Sequence, residues 1–282
     1  MKQRDMLEVI DTHAHLDELE SLDLAIDKAR EAGVVAAVTV GSNQESNQKV
    51  LEICYKYPYF CYPALGLHPW ELGNLESQQI DCALKFIEEK ACDIVAMGEI
   101  GLDYHKKVVK VAPKELQKEV LKRLLSIAKN HQKPVSIHSR YAWKDCFDLV
   151  KEAGIEKAVF HWFTGFSSVL RDILGAGYFI SATPAAEYHE EHRRAIKEAP
   201  LEKLLLETDC PVVYGREIRY QSEPADVLRS LKAIAALKGI DEVAIAEHTT
   251  YNATNLFALA LLQTSPNLIM RTDKKLASEG LL

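Results

Sequence analysis

Eight short runs rich in β-branched and aliphatic residues punctuate this chain, each followed by a longer stretch with helical spacing. The runs are LEVIDTHAH, VVAAVTVGS, FCYPALGLHP, DIVAMGEIGLD, KPVSIHSR, KAVFHWF, YFISATP and KLLLETDCP. Amphipathic segments such as LDLAIDKAREAG, ESNQKVLEICYKY, QQIDCALKFIEEKA, KELQKEVLKRLLSIAKN and WKDCFDLVKEAG lie between them. Gly33 and Gly154 fall just past the last periodic residue of two helices, where a left-handed C-terminal stop belongs. The runs are continuously apolar rather than alternating, as parallel strands covered on both faces must be. With about 30 residues per unit, this pattern predicts an α/β fold, a (β/α)₈ TIM barrel in a single domain. An open doubly wound sheet would carry a glycine-rich phosphate loop after its first strand, and THAHLDE is not one. We place the barrel at residues 1–262 and a polar C-terminal tail at 263–282, with the last helix ending near AEHTTYNATNLFALALL.

The 282 residues carry a net charge of −7, with 48% hydrophobic and 27% charged residues. A negative chain is ill suited to broad adhesion to nucleic acid or anionic membrane. It still admits an anionic substrate, because bound divalent cations reverse the local field of a cleft. No apolar run is long enough to span a membrane, and MKQRDM lacks the apolar stretch of a signal peptide, so the sequence reads as cytoplasmic. Its six cysteines form no C-x-x-C pair and need no disulfide; most read as small buried apolar residues.

The chemistry gathers at strand ends. His13 and His15 share one face of the first strand, because alternate side chains point the same way. His68 ends the third strand, Glu99 the fourth, His138 the fifth, His161 the sixth and Asp209 the eighth. In a (β/α)₈ barrel these ends form one rim, where the active site sits. Histidine with carboxylate suits borderline cations, and this many donors supply a binuclear centre better than a single structural zinc. Zn, Mn, Mg, Co or Ni all remain open. Glu99, on a central strand, could bridge two ions, and the open positions left for water mark a catalytic rather than a structural site.

Taken together, DTHAHLD, GLHPW, GEIGLDY, PVSIHSR, HWFTG and LLLETDCP resemble the TatD family of metal-dependent deoxyribonucleases, within the amidohydrolase-type barrels. The resemblance runs from about Val9 to Phe257, with the motifs in family order. It implies that His13, His15 and Asp209 hold one metal, that His138 and His161 hold the second, and that Glu99 bridges them. It implies that His68 contacts the scissile phosphate, while a hydroxide attacks and Asp209 handles its proton. Glu99 stands where related barrels use a carbamylated lysine, which argues against dihydroorotase-like or phosphotriesterase-like chemistry. Three positions depart from the family pattern. Trp70 follows HP where many members carry a polar residue; it offers either a stacking face for a base or a core contact. Trp162 reads as a packing change. Cys210, after Asp209, reads as small-residue packing rather than a redox centre.

Arg140 is the best candidate for holding a phosphate that flanks the scissile bond. Lys106, Lys107, Lys110 and Lys144 read as solvated loop residues. The cluster YHEEHRR (188–194) reads as a solvent-facing helix rather than a second metal claw. His105, His131 and His248 read as surface or capping residues. The function expected is therefore phosphodiester cleavage, catalysed by Asp209, Glu99 and His68. Its substrate would be DNA, with 3′-5′ exonuclease action on single-stranded 3′ ends and possible repair-type endonuclease action. The enzyme would be a monomer. The alternative is an ester hydrolase such as a D-aminoacyl-tRNA deacylase, since the same centre can attack a carbonyl. A third reading, a non-enzymatic binding protein on an inherited barrel, leaves six ligand-type residues on one rim unexplained.

Overall fold

In the computed structural model, which describes residues 7–261, eight parallel strands form one sheet in chain order. They are β1 (Val9–Ala14), β2 (Val34–Val40), β3 (Cys61–Leu65), β4 (Ala96–Gly101), β5 (Val135–His138), β6 (Ala158–Phe160), β7 (Phe179–Ala182) and β8 (Leu204–Leu206). Helices return the chain after each strand: α1 (Leu22–Ala32), α2 (Gln44–Lys56), α3 (Ser77–Glu89), α4 (Lys106–Val109), α5 (Lys114–Asn130), α6 (Trp143–Glu152), α7 (Ser167–Gly175) and α8 (Glu190–Glu198). After β8 come a small antiparallel hairpin, β9 (Val213–Tyr214) with β10 (Tyr220–Gln221), and then α9 (Val227–Lys238) and α10 (Glu242–Phe257). This is the (β/α)₈ barrel expected from the alternation of runs. The hairpin was not anticipated, because two-residue strands leave no periodic trace.

Local signals set the boundaries. Asn43 caps α2 by accepting a hydrogen bond from the Ser46 amide at 3.0 Å. Glu76 and Gln79 form a reciprocal capping box at the start of α3. Gly33 stops α1 with φ +98°, and Gly154 follows α6 with φ +66°, as their positions predicted. The last helix ends at Phe257, short of the apolar run FALALL, because Ala258 turns left-handed at φ +52°. The tail assigned to 263–282 lies outside the described residues.

Two apolar layers divide the interior. One lies between sheet and helices and includes Ile26, Leu84, Leu124, Val150 and Ile234. The other fills the barrel with Ile10, Val38, Ala64, Ala96, Val159 and Leu205, against which Leu256 and Phe257 of α10 pack. Val35, Tyr62 and Phe179, at the starts of their strands, join this plug, and the Tyr62 hydroxyl donates to the Ala260 carbonyl at 2.6 Å. The N-terminal end of the barrel is thus closed with hydrocarbon, and polar groups collect at the other end. Among the described residues, no helix is long and apolar enough to cross a membrane. Cys61, Cys146 and Cys210 are buried as expected, whereas Cys82 and Cys92 are exposed.

Candidate metal centre and active-site cleft

The β8–β1 seam has no regular ladder, and paired loop ends close it instead. The Asp209 amide donates to the His13 carbonyl at 2.9 Å, and the His15 amide to the Cys210 carbonyl at 2.8 Å. Beneath them, buried Asp11 accepts from the Thr208 amide at 2.9 Å and from the Thr208 hydroxyl at 2.5 Å. Burial pushes the Asp11 carboxyl up to about 8, and the hydrogen bonds from Thr208 only partly offset it. The seam therefore holds His13, His15 and Asp209 by backbone as well as by side chains. Asp209 itself sits at φ +50° and Trp162, beside His161, at φ +40°. Backbone conformations this uncommon for non-glycine residues persist where the surroundings over-determine them.

All seven rim residues converge. His13 Nε2 lies 3.4 Å from Glu99 Oε2 and 3.6 Å from Asp209 Oδ1. His15 Nε2 lies 3.4 and 3.5 Å from the same two oxygens. The other oxygen, Glu99 Oε1, faces His161 Nε2 at 2.7 Å, His138 Nδ1 at 2.8 Å and His68 Nε2 at 3.4 Å. Glu99 thus turns one oxygen toward each of two donor sets. Burial alone would raise its pKa, but His161, His68 and His13 around it hold the carboxyl well below the usual range.

Two donors each about 2.1 Å from a tetrahedral ion stand about 3.4 Å apart, which is the spacing in the first set. His13 Nε2 is buried there without a hydrogen-bond partner. A buried acceptor left unpaired is costly unless something completes it. The first set therefore fits a divalent cation in donor type, spacing and unmet bonding capacity, and the second fits one in donor type.

His68 differs from His13, His138 and His161. A metal-ligating histidine usually donates its far N–H to an acceptor. His138 does so, its Nε2 standing 3.1 Å from Asp103 Oδ2, and His161 Nδ1 lies 3.5 Å from Glu207 Oε1. His13 Nδ1 meets the Ser136 hydroxyl at 3.2 Å. His68 Nδ1 instead accepts from the Trp70 amide at 3.2 Å, which leaves the ring hydrogen on Nε2, facing the centre. Burial pushes His68 down to about 4, so the ring is neutral and a hydrogen-bond donor.

Glycines let the strands approach. A Cβ on Gly66 would collide with the Glu99 backbone, and one on Gly101 with the His138 carbonyl, so GLHP and GEIGLD need glycine for contact between neighbouring strands.

Four supporting residues went unremarked in the sequence: Asp11, Asp103, Ser136 and Glu207. Asp103 accepts from the Trp70 indole at 2.6 Å and from the His105 amide at 2.7 Å, besides its contact with His138. Burial works against its charge, but the hydrogen bonds from His138 and Trp70 hold it down to about 2. Glu207 accepts from the Trp162 amide at 2.9 Å. Each supporting acid stands an even number of residues from a ligand-type residue (Asp11 from His13, Asp103 from Glu99, Glu207 from Asp209). Within β1 the Asp11–His13 spacing puts both on one face, which was a readable signal, whereas Asp103 and Glu207 lie beyond the ends of β4 and β8.

The centre opens into a cleft of about 1030 Å³. Arg140 lines it and reaches to 4.0 Å from Asp103. Lys106, Lys107 and Lys110 are exposed, and Lys144 pairs with Asp148 at 2.5 Å. Trp70 is half exposed at the lip, a cleft residue rather than a core one. Trp162 packs against Tyr214, with ring centroids 5.5 Å apart, and also borders the cleft. Cys210 is buried and burial drives its thiol pKa up, as small-residue packing requires. His105 caps α4, as foreseen. The cluster 188–194 is not a wholly solvated face. His192 is fully buried, with Nδ1 3.0 Å from the Phe163 carbonyl and Nε2 accepting from the Thr183 amide at 3.1 Å. Its neighbours His189, Glu191 and Arg194 border the cleft.

A closed (β/α)₈ barrel with histidines and carboxylates converging on its C-terminal rim defines a metal-dependent hydrolase. The profile of the TatD related DNase family matches residues 10–258. This chain belongs to that family. It is 35% identical to the deoxyribonuclease TATDN3 of Homo sapiens over 259 residues, 88% of this chain and 94% of the human protein. It is 29% identical to the 3′-5′ ssDNA/RNA exonuclease TatD of Erwinia tasmaniensis over 84% of this chain and 93% of that one. The crystal structure of YJJV, the TatD homologue of Escherichia coli, superposes with a TM-score of 0.81 at 26% identity, covering 90% of this chain and all (100%) of that one.

Proposed function

We propose that the protein is a binuclear metal-dependent phosphodiesterase acting on single-stranded DNA from its 3′ end, with repair-type endonuclease action possible on the same centre. The observation that carries this reading is the division of Glu99, with Oε2 toward His13, His15 and Asp209 and Oε1 toward His138 and His161. Those six residues are the proposed ligands, with Glu99 as the bridge, and Zn, Mn, Mg, Co and Ni all suit them. Such ions, when bound, supply an activated water and neutralise charge on a transferring phosphoryl group. His68 donates its Nε2 hydrogen to an oxygen of the scissile phosphate. The Asp209 carboxylate, whose Oδ1 lies beside both first-strand histidines, accepts on its other oxygen the proton released as the attacking oxygen bonds to phosphorus. Arg140 holds a neighbouring phosphate, which positions the strand without reading its sequence. Trp70, fixed by Asp103, presents an indole face to a base or sugar. The cleft exceeds what most small metabolites fill, and the names of the human and Erwinia relatives lend the nuclease reading further support.

The test is an assay of chelated, metal-reconstituted protein on 3′-labelled single-stranded DNA and on a D-aminoacyl-tRNA. The first should be degraded and the second left intact, and chelation should abolish cleavage. Preferential release of the amino acid would replace the nuclease reading with the deacylase. In the same assay His68→Ala should retain both ions while turnover falls at least a hundredfold. Loss of an ion from that variant would make His68 a ligand.

A further inference from the structure

Three aromatic rings stand together on one wall of the cleft, away from the converging donors. Tyr141 follows His138 in the β5–α6 loop, Trp143 opens α6, and Phe166 ends the β6–α7 loop. The Tyr141 and Trp143 centroids are 5.9 Å apart at 71°, and those of Trp143 and Phe166 are 5.4 Å apart at 79°. Trp143 is partly buried and packed on the core, and Gly165 leaves room for its ring, where any Cβ would strike it. Tyr141 and Phe166 are 56% and 65% exposed, and both border the cleft. Adjacent large rings left this open, on a backbone that puts Tyr141 at φ +57°, mark a surface shaped to be covered.

Charge tells what covers it. The opposite wall carries Glu18 after β1 and Glu71 after β3, which repel phosphate. On the aromatic wall the Arg140 guanidinium lies 5.6 Å from the Tyr141 ring centre, and Arg194, which donates to the Gly165 carbonyl, borders the same side, so that two cations stand against the single acid Glu191 there. A polyanion therefore leaves the centre over β5 and β6. Its unpaired bases then meet rings within reach of a cation, the combination that holds single strands without reading them.

We propose that Tyr141, Trp143 and Phe166 form a stacking ledge for the bases beyond the scissile phosphate of a single-stranded nucleic acid. The ledge rests on the nuclease reading and adds to it the direction of the strand and a dependence on substrate length. Stacking on an aromatic side chain contributes about 1–3 kcal/mol per base, so each exposed ring should change binding about tenfold.

The experiment compares oligothymidylates of two, four and six nucleotides with bis(p-nitrophenyl) phosphate, using Mn²⁺-reconstituted protein. For the parent, kcat/KM should climb with length. For Tyr141→Ala and Phe166→Ala it should flatten, KM for the hexamer should rise about tenfold each, and the hexamer-to-small-diester ratio of kcat/KM should fall equally. Tyr141→Phe and Phe166→Tyr should restore the climb, which a general loss of structure would not allow. An abasic hexamer should cost the parent about the product of the two single-ring factors and each alanine variant only the factor of its remaining ring. Unchanged hexamer KM in both alanine variants, or equal cleavage of the abasic hexamer by the parent, overturns the ledge while leaving the nuclease. A parent that cleaves the small diester but no oligonucleotide removes both.

Discussion

The two donor sets that share Glu99 are built on different principles. His13, His15 and Asp209 sit where β1 and β8 are stitched together by backbone hydrogen bonds, and His13 leans on a neutral hydroxyl, that of Ser136. Their donor atoms stand 3.4 to 3.6 Å from their partners, spaced but not bonded. His138 and His161 rise from separate strands, are backed by the carboxylates Asp103 and Glu207, and close on Glu99 Oε1 at 2.8 and 2.7 Å. The first set is held open at ligand spacing. The second must exchange hydrogen bonds for any ion it takes. Preorganisation favours the first set, and charged support compensates the second.

Glu99 is the one residue common to both, so its replacement tests whether the sets are coupled. Glu99→Gln keeps the shape, removes the charge that offsets cation repulsion, and leaves one good oxygen. Occupancy of both sets should fall together, and the rate should drop about 10³-fold or more. The fold should survive, since rim residues of a barrel serve chemistry more than stability. Metal analysis alongside an activity titration decides it. Two tightly held ions and near-parental cleavage would show that the sets do not depend on a common bridge.

Support by carboxylate is the second point of contrast. Asp103→Asn and Glu207→Gln should each weaken metal binding at the second set by about 10- to 100-fold, because a neutral amide polarises the far N–H of the imidazole less. Calorimetric titration should then show one affinity displaced and the other kept. Equal displacement of both would mean that the two acids serve the rim as a whole.

The loop that carries His161 is also hung differently from the seam. It is tied by His192, which bridges the Phe163 carbonyl and the Thr183 amide, and this works only for the neutral ring with hydrogen on Nδ1. Burial holds His192 down to about 4, whereas the unfolded chain protonates it near 6.5. The unfolded state therefore binds the extra proton. The stability conferred by the neutral ring is full above 6.5 and is lost as the pH falls toward 4. Denaturant unfolding of parent and His192→Gln should differ by about 2 kcal/mol less at pH 5 than at pH 7.5. A gap that does not narrow would mean that the ring is not held neutral.

The barrel was legible because its strands are apolar on both faces and its helices carry their stops in sequence. The ligand-type residues were legible because they fall at the ends of those strands. Legibility failed where a role depends on a partner distant in sequence. Ser136 lies 123 positions from His13, and nothing in the string VSIH announces the pairing. His192 stands among alternating charges that suggest solvent, yet the element packed above it makes it core. His68 falls beside Glu99 on the rim, but its tautomer depends on the amide of Trp70, which only the turn geometry reveals.

The finest division between the sets is the neutral hydroxyl behind His13. Ser136 Oγ stands 3.2 Å from His13 Nδ1, where it accepts the ring hydrogen and leaves Nε2 free to face the centre. Ser136→Ala removes that acceptor without adding bulk, beside Gly98, whose missing Cβ already makes room for the serine. A neutral hydrogen bond contributes about 0.5–1.5 kcal/mol, so first-set affinity should fall about two- to tenfold. The backbone stitching of the seam should keep His13 otherwise in place. Second-set affinity should not change, the mirror image of Asp103→Asn. A loss of a hundredfold or more would mean that the hydroxyl, not the seam, orients His13, and the contrast between a backbone-built and a carboxylate-built set would collapse.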